Sequence, residues 1–350
     1  MKSSALIHRI DATSAPMRKF LRRAGSKAVL CGALLPLAAS GLSGVAQAQS
    51  TYPNKAVKLM VPMAPAGPAD IMARVVAKRL SEGLGQQLIV ESQGGGGGTI
   101  ATEAVMRSAP DGYTLVIGSL STLVTGPILN PAIRYDPIKS FAPVSMMAIA
   151  PSMVLVNPGV PARSLRELID LAKAKPGALN FGSNGNGTLT HLAGELFKSM
   201  TGVDIVHVPY KGAAPATNDL MAGQIQMIFV VPSGLEQHVR AGKLRAIAVA
   251  SNKRHPVFPD VPTSAEAGLP GFETYTWFGL SAPLNTPAPV IARLNAEMVK
   301  TLAAKEVTEV LSKQGLEAGA STPEQFGQFI ASEIAKWSRI VKTAGIKLEN

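Results

Sequence analysis

"FGSNGNGTLTHLAGELF", Phe181 to Phe197, is the stretch whose reading decides the fold. It begins as the end of a strand, passes through a turn dense in glycine and asparagine, and continues as a helix. A strand that feeds a helix through a short polar turn is the repeating unit of α/β folds. In open sheets of that kind, ligands lie beyond the carboxyl ends of the strands, where loops lead into helix N-termini. The first amide hydrogens of a helix are unpaired and its dipole is positive there, so an anion is favoured. Gly182, Gly185 and Gly187 allow the backbone to bend and approach a ligand closely, and Ser183, Asn184, Thr188 and Thr190 add short polar groups. The same residues would also serve simply to make a turn and cap a helix, and the stretch alone leaves both readings open.

Outward from this stretch the pattern repeats. Upstream, "AVKLMV" (residues 56–61) reads as a strand, "PMAPAGPAD" (62–70) as its loop, and a helix follows to about Leu84. "QLIVES" and "YTLVIGS" are further strands, with a helix over Thr99–Ser108 between them. "SMVLVN", "LNFGS", "IVHVPY", "QMIFVV" and "LRAIAVA" supply five more, again with helices interspersed. The spacing predicts βαβ units and parallel sheets. Ser164 and Glu167 form an expected capping box, with Leu165, Leu168, Ile169 and Ala172 making one apolar face. Thr286-Pro287 and Thr322-Pro323 are each read as a cap followed by proline at the first helical position. Gly94–Gly98, which lacks a following Lys-Ser or Lys-Thr, is not a Walker phosphate loop and is read as a flexible connection.

The ends and the composition bound what such a fold can do. Residues 1–48 read as a secretory signal: basic residues between Lys2 and Lys27, an apolar run from Ala28 to about Leu42, and cleavage after Ala46-Gln47-Ala48. Met17 would give a more ordinary start than Met1. The chain carries 34 Lys and Arg against 23 Asp and Glu, a net charge of +11. Seven of those bases and one acid lie in residues 1–48, which leaves 27 against 22, or +5, for the mature part. That charge is too small and too scattered for nucleic-acid binding, which needs clustered Lys and Arg with interleaved aromatics. The single cysteine, Cys31, leaves with the signal, so neither disulfides nor thiol chemistry are expected. Without a second apolar run near 18 residues, the mature chain is expected to be soluble in the periplasm.

About 300 mature residues exceed what one core normally serves, so two lobes are expected. The candidate crossings are the segment before Ser152 and the strand "TYTWFGLSAP" (274–283). They give residues 49–150 plus 275–350 as the first lobe and 151–274 as the second, with Trp277 packed at the boundary. Two or three strand-to-helix loops, "PMAPAGPAD", "GSLST" (118–122) and the opening turn, would then converge on one small anion. Asp70 reads as a helix cap ahead of a ligand contact, and Arg74, four residues on, as its partner on the helix. Catalytic signatures are absent: no His-Glu-x-x-His, no Gly-x-Ser-x-Gly, and no metal-ligand spacing among His191, His207, His238 and His255. His191 reads as a structural histidine ahead of a base. Tyr210 and Lys211 face either the cleft or solvent.

Six blocks, "YPNKAVKLMVPMAPAGPAD", "PDGYTLVIGS", "NFGSNGNGTLTHLAGELF", "VHVPYKGAAPATNDLMAGQIQMIF", "LRAIAVAS" and "FPDVPTSAEAGLPGFE", taken in order, resemble the Bug family. These are the extracytoplasmic solute receptors of tripartite tricarboxylate transporters. The resemblance runs from Tyr52 to about Leu316. It implies a two-lobe periplasmic binding protein of the Venus-flytrap, type II-like kind, each lobe a sheet flanked by helices, acting as a monomer with membrane transporter subunits. It also implies a small carboxylate or related metabolite as ligand, and no cofactor, metal or catalytic residue. Carried over by position, the ligand residues are Ala64, Pro65, Ala66, Gly67 and Asp70 on one side and Ser183, Asn184, Gly185 and Thr188 on the other, with Ser119, Ser121 and Tyr210 as additions. The chain departs from the family at Ala66, where glycine is usual, and at "ESQGGGGG", where the family reads closer to Glu-Asn-Arg-Pro-Gly-Ala-Gly-Gly. A periplasmic sensor feeding a membrane signalling partner fits the same residues, and a hydrolase would need a nucleophile or metal that the chain does not offer.

Overall fold

In the computed structural model, residues 52–346 are described; the signal expected over residues 1–48 lies outside them. Strand β1 (Val57–Val61) leads into α1 (Pro68–Leu84), then β2 (Leu88–Ser92), α2 (Thr99–Met106), β3 (Thr114–Ser119) and a short α3 (Gly126–Leu129). Helix α1 buries Met72, Ala73, Val76, Ala77, Leu80 and Leu84, a helical-period stripe, and ends on Gly85 in the left-handed region at φ 72°. An 11-residue strand, β4 (Phe141–Pro151), runs to Ser152, and β5 (Met153–Val156) follows.

The next segment alternates α4 (Leu165–Ala174), β6 (Asn180–Ser183), α5 (Leu189–Thr201), β7 (Val206–Pro209), α6 (Ala213–Ala222), β8 (Met227–Val230), α7 (Glu236–Arg240) and β9 (Arg245–Val249). The chain then returns as β10 (Tyr275–Pro283), α8 (Ala288–Ala303), α9 (Lys305–Lys313), β11 (Glu317–Ala318) and α10 (Pro323–Ala344).

These strands form two sheets, ordered β11-β4-β10-β3-β1-β2 and β7-β6-β8-β5-β9. Neither is all-parallel, which corrects the expectation from spacing. β1 pairs in parallel with β2 and β3, but β10 runs antiparallel between β3 and β4. In the other sheet β6 is parallel to β7 and β8, while β5 is antiparallel to β8 and β9. The reason is the route of the chain: β4 and β5 are separated by one residue, and β10 re-enters the first sheet after a long excursion, so neither arrives through a right-handed βαβ crossover. At the passages between sheets the main chain is tied to itself. Ser152 N–H donates to Thr274 O (2.9 Å), Ala250 N–H to Ser152 O (2.8 Å) and Thr274 N–H to Ala250 O (3.0 Å).

One core packs α1, α8 and α9 against the first sheet, and another joins both sheets. In the second, Trp337, Ile340 and Val341 of α10 share a cluster with Leu192, Leu196 and Phe197 of α5. The C-terminal helix therefore braces the two halves together.

Local expectations meet mixed outcomes. Thr322 and Gln325 form a full capping box at α10. At α4, Ser164 accepts from Glu167 N–H, but the Glu167 carboxylate accepts from Arg163 N–H, so the box is half closed. Thr286 is not a cap: its hydroxyl donates to Pro283 O, and Pro287 takes the capping position. Gly94–Gly98 is a built turn and not a loose connection. Gly98 (φ 90°) is buried so tightly that an added Cβ would lie 2.6 Å from Pro62 O and 2.7 Å from Thr122 Cγ2.

Candidate functional site

The loop after β1 is held from behind by one carboxylate. Gly67 caps α1, Pro68 occupies the first helical position and Asp70 sits in the first turn, 3% exposed. Asp70 Oδ2 accepts from Ala66 N–H (3.0 Å) and from Arg74 Nε–H (2.9 Å), and Ser92 Oγ–H donates to Oδ1. The hydrogen bond from Arg74, helped by Ser92 and Ala66 against the opposing effect of burial, pulls the Asp70 carboxyl down to about 2. Asp70 is thus a clamp on the loop and neither its N-cap nor a free donor or acceptor. Ala66 is held at φ 65°, a region that costs an L-residue with a Cβ.

At the end of β3, Ser119 N–H donates to Thr122 Oγ1 (2.9 Å), and the Ser119 and Ser121 hydroxyls lie 2.9 Å apart. A wide π-type turn over Ser121–Thr125 leaves Ser121 exposed while Thr122 and Thr125 are buried.

On the second sheet the turn after β6 is fastened internally. Thr188 Oγ1–H donates to Gly185 O (2.7 Å), Asn184 N–H to Thr190 Oγ1 (2.8 Å) and Gly187 N–H to His191 Nδ1 (3.1 Å). The Ser183 hydroxyl lies 2.6 Å from His207 Nε2 and accepts from Gly185 N–H (3.2 Å). His191 and His207 stack with ring centroids 3.8 Å apart and planes 6° apart, and Phe181 lies alongside both. Burial, with Lys198 and for His207 also its neighbour His191 adding repulsion, lowers each imidazole to about 4, so both are neutral near pH 7. Because His191 Nδ1 accepts the Gly187 amide, its proton resides on Nε2. Tyr210 backs the turn: its N–H donates to Ser183 O and its hydroxyl to Asp219 Oδ2 (2.7 Å), and burial raises that phenol to about 12.

Two adjoining cavities lie where the sheets face each other. The first, about 400 Å³, is bounded by Ser119, Ser121 and Thr125 from one half and by Asn186, Gly187, Thr188 and Leu189 from the other. The second, about 370 Å³, lies over the start of α1, with Ala64, Gly67 and Ala69 on one side and Val231 and Ser233 on the other. Met63, Thr276 and Phe278 line both, so the cavities are two chambers of one cleft.

Of the residues carried over from the sequence, Ser119, Ser121 and Thr188 border the first chamber, and Ala64 and Gly67 the second. Pro65, Ala66, Asp70, Ser183, Asn184, Gly185 and Tyr210 border neither; they shape and hold the loops that do. Sequence reasoning named Gly187 only as a glycine that lets the turn approach a ligand, and it passed over Asn186, Met63, Thr276 and Phe278. For β10 the sequence offered only the expectation of a crossing strand. Trp277, buried and with its Nε1–H unpartnered, packs edge-on against Phe326 and Phe329 of α10 and also borders the first chamber.

Comparison with known proteins points the same way. Residues 72–346 match the family described as "Tripartite tricarboxylate transporter family receptor". The chain is 40% identical over 315 residues to the protein BugT of Bordetella pertussis, covering 89% of this chain and 96% of that one. Among solved structures, it is 37% identical to the R. palustris protein Rpa4515 with adipate, at TM-score 0.68 over 85% of this chain and 99% of that one. It is 34% identical to MatC from Rhodopseudomonas palustris with bound malate, at TM-score 0.65 over 83% of this chain and 100% of that one.

Proposed function

The chain belongs to the tripartite tricarboxylate transporter receptor family, and from that premise we propose that it binds one small organic acid in the cleft and presents it to membrane transporter subunits. In this reading export removes the segment up to about Ala48, and the mature protein acts as a monomeric receptor in the periplasm without turnover. Its two lobes are residues 49–150 with 275–350, and residues 151–274.

The observation that carries the reading is the first chamber. Hydroxyls of Ser119 and Ser121 and the Asn186 amide border it from opposite halves, the Thr188 hydroxyl joins them by turning its proton from Gly185 O to a ligand, and no charged side chain borders it. A carboxylate would be held by hydrogen bonds alone, each bond to a charged group contributing on the order of 1.5–3 kcal/mol. A few such bonds are enough for about micromolar affinity. Each half offers an incomplete set of donors, so a ligand that touches both stabilises the closed arrangement by its difference in affinity between closed and open forms. The adipate and malate held by the two Rhodopseudomonas relatives support the carboxylate class.

The test is calorimetry of the mature protein against a panel of organic acids, with Thr188→Val compared with wild type for any acid that binds. Replacement of the hydroxyl is expected to weaken binding at least about tenfold, the equivalent of one hydrogen bond. Wild-type affinity in Thr188→Val, with the fold intact by circular dichroism, would remove Thr188 from the site. Failure of every carboxylate to bind would remove the proposed ligand class.

A further inference from the structure

A polar group binds a ligand at little cost only where the protein has not already used it, and around the cleft most are used. Ser119 and Ser121 bond each other, Thr188 Oγ1–H donates to Gly185 O, and the Ser233 hydroxyl donates to Gln314 O (3.4 Å). The Asn184, Gly185 and Gly187 amides donate to Thr190, Ser183 and His191. Among the described residues, the polar side chains that border the two chambers and make no hydrogen bond are Thr125, Asn186, Thr276 and Gln314. Thr276 differs from the other three in two ways. It borders both chambers, whereas Thr125 and Asn186 border the first and Gln314 the second. It also stands within a strand, paired with Ala150 of β4, while the others lie on turns. Strand alternation puts Thr276 on the face of β10 that carries Phe278, opposite Trp277. Its hydroxyl is half-buried and open to the cleft, unlike the sealed and unpartnered Thr274 Oγ1 two residues earlier.

We infer that Thr276 is a ligand-contact residue, its hydroxyl donating to a carboxylate oxygen held at the junction of the two chambers. This deepens the receptor reading and rests on it. Thr276 gives up no bond within the protein to reach the ligand, whereas Thr188 must first break the one to Gly185 O. The strand fixes the Thr276 Cα and Cβ before a ligand arrives, so little order has to be created on binding. The two threonines therefore answer differently to loss of the hydroxyl. At Thr276 the loss falls on binding and leaves the fold alone; at Thr188 it falls on both, because the turn after β6 also loses a tie.

The experiment is calorimetry of the mature protein with acetate, malate, adipate and citrate, on wild type, Thr276→Val, Thr276→Ser and Thr188→Val, with the Tm of each variant measured without ligand. For every acid that binds wild type, Thr276→Val should weaken binding at least about tenfold, and Thr276→Ser, which keeps the hydroxyl, should stay within about threefold of wild type. The ligand-free Tm of Thr276→Val should lie within about 2 °C of wild type, since valine suits a strand and no bond inside the protein is lost. Thr188→Val should lower both affinity and Tm. Wild-type affinity in Thr276→Val would overturn this inference and leave the receptor reading standing. Equal losses in the valine and serine variants would do the same, because they would mark the effect as shape and not hydrogen bonding. Failure of Thr276→Val to fold, or a fall in its Tm as large as that of Thr188→Val, would show the hydroxyl to be spent inside the protein and would also overturn it. Absence of binding by all four acids to wild type would overturn the inference and the receptor reading together.

Discussion

Acidification should loosen this protein through the stacked imidazoles beneath the turn after β6. His191 and His207 are each held near 4, against an ordinary value of 6.5, by burial, with Lys198 adding repulsion and His207 feeling His191 as well. Lys198 is itself paired with Glu195 (3.1 Å) on the same helix, so the carboxylate does not compensate the rings directly. Both folded-state values are depressed below the unfolded one. The stability they contribute is therefore fully present above 6.5 and is lost as pH falls from there towards 4. At pH 5 the loss is about 2 kcal/mol per ring. His207 is partly exposed and the rings are coupled, so a combined loss of about 2–4 kcal/mol is expected.

Protonation of His191 also removes the lone pair that accepts the Gly187 amide, so the turn at the cleft should slacken before the protein unfolds. The assay is urea unfolding followed by circular dichroism at pH 7.5 and pH 5.0, a window above the titration of ordinary carboxylates. The double variant His191→Phe with His207→Phe keeps the stack and removes the titration, and its stability should depend on pH much less than wild type. Some slope will remain from His255, which burial also lowers. Equal wild-type stability at the two pH values, or an undiminished slope in the double variant, would refute this account.

Three further outcomes follow from the loops around the cleft. Asp70→Asn should cost about 1–2 kcal/mol at pH 7 after allowance for the exposure of Arg74, and it should flatten the acid limb between about pH 4 and 2, where the depressed carboxyl takes up its proton; urea midpoints across that range would show it. Gly98→Ala should destabilise by about 2 kcal/mol or more, because the new methyl meets Pro62 O and Thr122 Cγ2 at φ 90°, and an unchanged Tm would contradict the packing described. Ala66→Gly removes the cost of the left-handed backbone at φ 65° but loosens the unfolded chain, so a net gain of about 0–1 kcal/mol is expected, read as a small rise in Tm.

Much of the architecture was legible from residue order alone. Helix α1 and strands β1, β3, β6, β8 and β9 announce themselves by apolar runs and by turn residues at their ends, signals that involve only neighbours in the chain. The cap at Thr322, with proline after it, is likewise a matter of near neighbours, as is the apolar face of α4. Family membership was legible too, because six blocks in one order carry more information than any single turn.

Strand direction was not legible. β10 looks the same whichever way it runs; only pairing with β3 and β4, more than a hundred residues away in sequence, makes it antiparallel. β4, with Pro143 inside it and no clean alternation, takes its extended form from β10 and β11. The site divides in the same way. That the stretch from Phe181 to Phe197 would place polar groups at a strand end follows from local chemistry. Which of them reach the cleft was decided by contacts across the fold: His207, 24 residues from Ser183, engages that hydroxyl, while Asn186, Gly187 and Thr188 border the open chamber. Nearest-neighbour chemistry sets the elements, but the free face of a turn depends on which of its groups distant residues have already satisfied, and that is known only once the chain has folded.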